Sequence, residues 1–227
     1  MTLRHSNWSK LVVAAAVVFA VFLSIGVAQA SNMGFKMNRV VQALGTPAPK
    51  GNNLISLPYK NPYSTASDVC TALGLSTVAP KGKIVQVNAQ TGGQASYNCG
   101  DLGPFTLTQR VGVIATNSTL AGGIVVGSHQ GSPPGNITLY GLGTPAPKGQ
   151  NHFPVPYHTT AVNANDICLD LGVPVGGKIQ RTNAATGTVA SYNCGDIGPF
   201  ALTLGESLVI TFTGATINVP AGHPAHF

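Results

Sequence analysis

The chain has 227 residues, 8% of them charged, and a net charge of +6. Two of the positive charges, Arg4 and Lys10, precede the first apolar run, and the other basic residues are scattered along the chain. This pattern excludes the basic patch of a nucleic-acid binder. Sparse charge with abundant Gly, Thr, Asn, Ser and Pro is typical of extracellular β-proteins, so we expect no nucleic-acid partner.

Residues 1–30 have the three-part layout of a secretory signal peptide. A basic start is followed by the apolar run 11–27 and by the small residues of Ala28-Gln29-Ala30. An uncleaved anchor is the alternative, because about 17 apolar residues can just span a bilayer. We expect cleavage before Ser31, no membrane span in the mature chain, and a secreted, periplasmic or cell-surface location in a bacterium.

An internal repeat organises the rest of the chain. Leu-Gly-Thr-Pro-Ala-Pro-Lys-Gly occupies residues 44–51 and recurs unchanged at 142–149, an offset of 98. Three residues are later missing from the second copy, and the offset becomes 95. We predict two modules and a linker. Their bounds are 44–127 for module 1, 128–141 for the linker and 142–227 for module 2. A segment at 31–43 can add a strand before module 1 and has no counterpart before module 2.

Four cysteines, Cys70, Cys99, Cys168 and Cys194, lie in the two copies. An even number of cysteines in an exported chain indicates disulfides. Structural zinc is the competing interpretation, but the Cys-x-x-Cys spacing typical of zinc sites is absent. Of the three possible connectivities, the repeat favours one bond within each copy, Cys70–Cys99 and Cys168–Cys194.

Each copy is predicted to contain several strands and one short helix. Residues 53–57 form a strand that ends at Pro58. The helix begins at the N-cap Thr65, has Asp68 three residues later and ends at Gly74. The equivalent helix positions in module 2 are Asn163, Asp166 and Gly172, and further strands are predicted at 83–87, 94–97, 111–116 and 207–213. The fold class is therefore mainly β with one short helix per module, in two tandem β-sandwich or barrel-like modules.

Several short motifs together carry a family resemblance. They are Ser-Asn-Met-Gly-Phe-Lys from Ser31, Asn-x-x-x-x-Pro-Tyr from Asn53 and Asn151, and the terminal Pro-Ala-His-Phe. With them the mature chain resembles an uncharacterised family of secreted bacterial proteins built from tandem β-rich modules. The resemblance implies export and a repeated fold, and it implies no activity and no functional residues.

Few side chains are placed for catalysis. Asp68 and Asp166 are interpreted as helix-start residues, and Asp101 and Asp196, in Cys-Gly-Asp-x-Gly-Pro-Phe, as turn residues. No Gly-x-Ser-x-Gly motif surrounds a serine. We therefore expect no enzyme, no catalytic residue, no cofactor and no metal site.

Three functions are compatible with these features. The leading hypothesis is an exported, non-enzymatic structural or adhesive component whose partner is a second copy or a surface polymer. The first alternative is a carbohydrate-binding module in which Tyr59 and Tyr157 stack on sugar rings. The second is a hydrolase with a site between the modules that includes Asp101 or Asp196.

Overall fold

The computed structural model describes residues 34–58, 60–128, 136–155 and 159–219, so the predicted signal peptide lies outside the described residues. The strands are β1 Gly34–Val41, β2 Asn53–Ile55, β3 Lys83–Val87, β4 Gln94–Asn98, β5 Val113–Thr116, β6 Ala121–Ser128, β7 Ile137–Leu139, β8 Asn151–Pro154, β9 Lys178–Asn183, β10 Thr188–Asn193, β11 Ser207–Thr211 and β12 Ile217–Val219. The helices are α1 Ala66–Ala72 and α2 Ala164–Leu171. The prediction of a mainly β chain with one short helix per module is confirmed.

Each module contains an open four-stranded antiparallel sheet and a two-stranded antiparallel ribbon. The strand order is β2-β5-β3-β4 in module 1 and β8-β11-β9-β10 in module 2. The ribbons are β1–β6 and β7–β12. Asn53 lies opposite Ala115, and Asn151 lies opposite Ile210. These pairs are related by the offsets of 98 and 95 seen in the sequence, so matching residues occupy matching points of the two sheets.

The segment predicted as a linker contains a strand. Ile137–Leu139 pairs with β12, with Leu139 opposite Ile217. Val41 at the end of β1 lies opposite Ala121 in the same way. Both modules therefore have a strand before the octapeptide, whereas the sequence indicated one only before module 1. Three residues in a Gly- and Pro-rich stretch are too few to show a period of two, and it is the distant strand β12 that holds them in place.

The short helices begin at capping boxes. The Thr65 side chain accepts a hydrogen bond from the Asp68 amide, and the Asp68 carboxylate accepts one from the Thr65 amide. Asn163 and Asp166 make the same exchange at the start of α2. Gly172 ends α2 in a left-handed conformation with φ of 66°. The predicted helix starts and the role of the two aspartates are confirmed.

Each module has its own hydrophobic core, closed by a disulfide. In module 1 the buried side chains of Val69 and Leu73 from α1 meet Ile84 and Val113 from the sheet and Val41 from the ribbon. The core of module 2 is built in the same way around α2. The two predicted disulfides, Cys70–Cys99 and Cys168–Cys194, are both present, each with Cα atoms 5.7 Å apart. Each bond links the helix to the residue that follows the last strand of a hairpin, and an oxidising compartment is where such bonds persist.

A buried asparagine ties the ribbon to the sheet in each module. Nδ2 of Asn53 donates to the carbonyls of Gly51, Ala115 and Gln42 at 2.8, 3.0 and 3.1 Å. Its Oδ1 accepts from the Gln42 amide at 2.8 Å. Asn151 makes the same four bonds with Gly149, Ile210 and Tyr140. The repeated Asn-x-x-x-x-Pro-Tyr motif therefore begins with a structural clip.

The two modules hold each other through their octapeptides, in two contacts that we call the clasps. The Gly51 amide donates to the carbonyl of Ala184, in the β9–β10 turn of module 2, at 2.8 Å. The Gly149 amide donates to the carbonyl of Ala89, in the β3–β4 turn of module 1, also at 2.8 Å. Each octapeptide thus binds the hairpin of the other module. The octapeptide is identical in the two copies, and in each copy it makes the same contact with the other module.

Replacing Gly187 with alanine should weaken one clasp. Gly187 has φ of 77°, and an added Cβ would lie 2.6 Å from the carbonyl oxygen of Pro47 in the other module. Gly198 is the matched control, because it also has φ of 77° but would place a Cβ in open space. We expect Gly198→Ala to cost about 1 kcal/mol of unfolding free energy, from the backbone alone. Gly187→Ala should cost a further ~1–3 kcal/mol, from overpacking. If the two variants lose the same unfolding free energy in urea, the clasp is contradicted.

Candidate ligand-binding cleft

A cavity of about 490 Å³, here called the cleft, lies between the two modules. One wall is the β3–β4 hairpin with the loop 105–111 of module 1, and the other is β7 and β8 of module 2. The polar residues that line it include Gln86, Asn88, Gln90, Gln94, Thr106 and Thr108, and the apolar and aromatic ones include Phe105, Ile137 and Tyr140. Its volume lies within the range of about 300–1,000 Å³ that is usual for small-molecule sites.

Gln86 fixes the wall of the cleft that module 1 supplies. Its Nε2 donates to the carbonyls of Thr108 and Val111 at 3.0 and 3.3 Å, and its Oε1 accepts from the Thr108 amide at 2.7 Å. Arg110 lies within the loop that these bonds hold, and it has φ of 60°, a left-handed conformation that disfavours side chains. The cleft therefore contains an ordered loop with a backbone outlier.

His152 is the buried titratable group of the cleft. Neighbouring residues of β8 point to opposite sides, so Phe153 enters the core of module 2 while His152 lies on the face towards module 1. The His152 side chain is 6% exposed, and its Nδ1 is buried without a hydrogen-bond partner among the described residues. Burial lowers the pKa of His152 to about 4, so the imidazole is neutral at neutral pH.

The repeat places a second set of residues in positions equivalent to those of the cleft. This matching region lies on the other side of the molecule, and different side chains fill it. Arg39 matches Ile137, and its Nη2 donates to the carbonyl of Leu204 at 3.1 Å while its guanidinium packs against Gly205. Gly205 in turn matches Arg110, and Leu54 matches His152. The two regions therefore differ in the very residues that make up the cleft.

An ion pair takes the place of Gln86 in that second region. Arg181, which matches Gln86, has its Nε 3.6 Å from Oε2 of Glu206, and its Nη1 donates to the Ala201 carbonyl at 2.6 Å. The Glu206 carboxylate accepts from the Thr203 amide at 2.7 Å. Burial raises the pKa of Glu206, and the Thr203 hydrogen bond and the Arg181 charge oppose that rise. The ion pair between Arg181 and Glu206, with its hydrogen bonds to the backbone, thus holds the loop 201–206 in place.

The described residues that line the cleft include none of the predicted site residues. Tyr59 and Tyr157, predicted to stack on a ligand, lie outside the described residues. Asp101 and Asp196 are exposed and lie in turns, where each accepts a hydrogen bond from the asparagine three residues earlier at 3.0 and 2.9 Å. The Lys81 ammonium donates to Asp101 and, together with the Asn98 amide, lowers the pKa of that carboxyl. Both aspartates behave as turn residues.

The described residues lack two features, a metal-binding cluster and a membrane-spanning helix. They contain no group of three or more His, Cys, Asp or Glu side chains arranged to hold a metal ion. Among the same residues there is no helix of the length and apolar character needed to cross a membrane.

Comparison with known proteins gives no match: no family model, no curated protein and no solved structure aligns with this chain. The candidate site therefore rests on the geometry of the cleft.

Sequence reasoning missed Gln86, Arg110 and His152. Gln86 and Arg110 belong to no motif, His152 occupies a variable position of Asn-x-x-x-x-Pro-Tyr, and the three are separated in the chain. A signal was nevertheless present, because these positions differ between two copies that are otherwise closely matched. Aligning the copies and asking where a polar residue has no equivalent would have selected His152 against Leu54.

We expect His152 to make the stability of the protein depend on pH. The unfolded chain binds a proton on this side chain near pH 6.5, whereas the folded chain does so only near pH 4. Above about pH 6.5 the imidazole is neutral in both states, so the free energy of unfolding does not depend on its protonation. As the pH falls from there to about 4, the free energy of unfolding should fall by about 1.4 kcal/mol per pH unit. Urea unfolding of the wild type and of His152→Leu at several pH values measures this difference. Parallel pH profiles would contradict it.

Proposed function

We propose that this chain is an exported, non-enzymatic component of the bacterial cell surface or extracellular space, with a structural or adhesive role. The reciprocal pair of clasps carries the proposal. Two modules that each have a core and a disulfide are joined at two separate points, through Gly51 and through Gly149. A unit joined at two points and closed by two disulfides suits a structural role in an oxidising compartment outside the cytoplasm.

The distribution of acidic groups supports a role other than catalysis. The chain has six acidic residues, and five of them serve local structure. Asp68 and Asp166 cap helices, Asp101 and Asp196 accept bonds within turns, and Glu206 pairs with Arg181. The hydrolase alternative gains no support, because neither Asp101 nor Asp196 lines the cleft.

A second candidate function, binding of a polysaccharide, is favoured by the amide and hydroxyl side chains of the cleft. It is compatible with the first, since an adhesive component needs a surface that recognises its target.

Fractionation of the producing cells tests the exported role. Non-reducing peptide mass mapping of the protein from the culture supernatant and the cell envelope should find a chain that begins at Ser31 and contains both disulfides. A deletion strain should attach less well to surfaces or lose integrity of its extracellular layer. Recovery of the full chain from the cytoplasm with free cysteines would overturn the proposal.

A further inference from the structure

We propose that the cleft binds an uncharged, polyhydroxylated ligand, a saccharide unit of a surface or extracellular polysaccharide, and that His152 is a recognition residue. The inference rests on the exported role proposed above and gives it a ligand class. It places recognition between the modules rather than at Tyr59 and Tyr157.

The lining of the cleft combines uncharged polar residues with aromatic ones. Gln90, Gln94 and Thr106 line the same cavity as Phe105 and Tyr140. A sugar ring presents hydroxyl groups at its edge and an apolar C–H face, which such a mixture can bind. Among the described lining residues there is no carboxylate, and Arg110 is the one permanently charged side chain. A cationic ligand would therefore lack a counter-charge here, and a highly charged anion would meet a single guanidinium.

Nδ1 of His152 is buried and has no hydrogen-bond partner in the part of the chain that the structure describes. A buried polar group without a partner costs about 1–3 kcal/mol, so a group that supplies the missing bond is favoured. A hydroxyl can donate and accept, and it can therefore pair with Nδ1 in either neutral tautomer. An ionised carboxylate can only accept a hydrogen bond, so it can pair with His152 only in the tautomer that carries the proton on Nδ1.

The cleft contrasts with the matching region on the other side of the molecule. There the long side chain of Arg39 lies against Gly205, whereas the cleft has the shorter Ile137 at the position that matches Arg39. Arg110 keeps the left-handed backbone of Gly205 although a side chain there costs roughly 1 kcal/mol. A backbone outlier beside an open cavity is the kind of strain found at binding sites.

Titration with defined glycans tests the inference. The probes are hexasaccharides of β-1,4-glucose, α-1,4-glucose, β-1,4-xylose and β-1,4-N-acetylglucosamine, with a galacturonic acid hexamer as the anionic comparison. Calorimetry measures affinity, and NMR of the His152 imidazole reports contact at the cleft itself. We expect at least one neutral probe to bind and to shift the His152 signals.

Two variants taken from the matching region separate recognition from folding. His152→Leu and Arg110→Gly introduce the residues that the protein carries at Leu54 and Gly205, so neither should lower the melting temperature at neutral pH. Each should weaken binding of the neutral probe at least tenfold. Leu54→Val is the control and should leave affinity unchanged.

Several results would overturn the saccharide assignment. They are binding to none of the neutral probes, unchanged affinity in both folded variants, or binding to the galacturonic acid hexamer alone. If His152→Leu fails to fold, Arg110→Gly decides. None of these results bears on the exported role, which cell fractionation tests; conversely, a cytoplasmic location would remove that role without altering affinity at the cleft.

Discussion

Replacing Cys168 and Cys194 together with alanine should lower the free energy of unfolding by about 3.5 kcal/mol. The bond closes a loop between residues 26 positions apart. Without it the unfolded chain of module 2 gains conformational entropy, which favours the unfolded state. Both cysteines are only 3% exposed, so the change also removes buried atoms from the core. Urea unfolding followed by circular dichroism measures the loss.

The disulfide of module 1 gives a matched comparison. Cys70 and Cys99 are 29 positions apart, so Cys70→Ala with Cys99→Ala should cost a similar amount. Under reducing conditions the wild type should approach the stability of the variant that lacks both bonds. If either double variant unfolds within about 0.5 kcal/mol of the oxidised wild type, the bond does not stabilise its module as the chain-entropy argument requires.

Replacing Asn151 with alanine should cost about 3 kcal/mol, because the four hydrogen bonds of this side chain serve backbone groups in and beside the core. The carbonyls of Gly149 and Ile210 would each lose a buried hydrogen-bond donor. The backbone amide and carbonyl of Tyr140 would lose the side chain to which they bond. The change should also loosen the ribbon β7–β12 from its sheet. Amide hydrogen exchange should therefore rise in β7 before it rises in β9.

Two variants sharpen this second result. Asn151→Asp keeps the shape and the acceptor but loses the Nδ2 donors and sets a carboxylate against carbonyl oxygens, so it should cost at least as much as alanine. Asn193→Ala removes an exposed asparagine that bonds only to Asp196 among the described residues, and it should change stability by no more than about 0.5 kcal/mol. Equal losses for Asn151→Ala and Asn193→Ala would show that the clip contributes nothing.

The parts of the fold that could be predicted are those specified locally. The helix starts at Thr65 and Asn163 could be found because a capping box is complete within four residues. The hairpin β3–β4 could be found because a Gly-containing turn separates two short strands. The disulfide pairing could be predicted because a duplicated pair of cysteines favours one bond within each copy.

The rest depends on contacts between distant parts of the chain. Strand β7 has three residues, and its pairing with β12 is what defines it. Strand β5 begins at Val113 rather than at the predicted residue 111, because the Val111 carbonyl accepts from the Gln86 side chain and the Gly112 amide donates to the His152 carbonyl of module 2. The cleft arises from packing of one module on the other, and a sequence read one module at a time contains no sign of it.

The clasps also determine what kind of contact joins the modules. Each module supplies one octapeptide and one hairpin, and each receives the complementary element of the other. This reciprocal pairing has the pattern of an isologous contact, in which matching patches are used on both sides of the interface. A chain with a single such module would carry both halves of it, and two such chains would close into a symmetric dimer. Covalent linkage of the two halves frees them to diverge, and this is how one side of the pair can keep Arg39 against Gly205 while the other opens a cleft at His152.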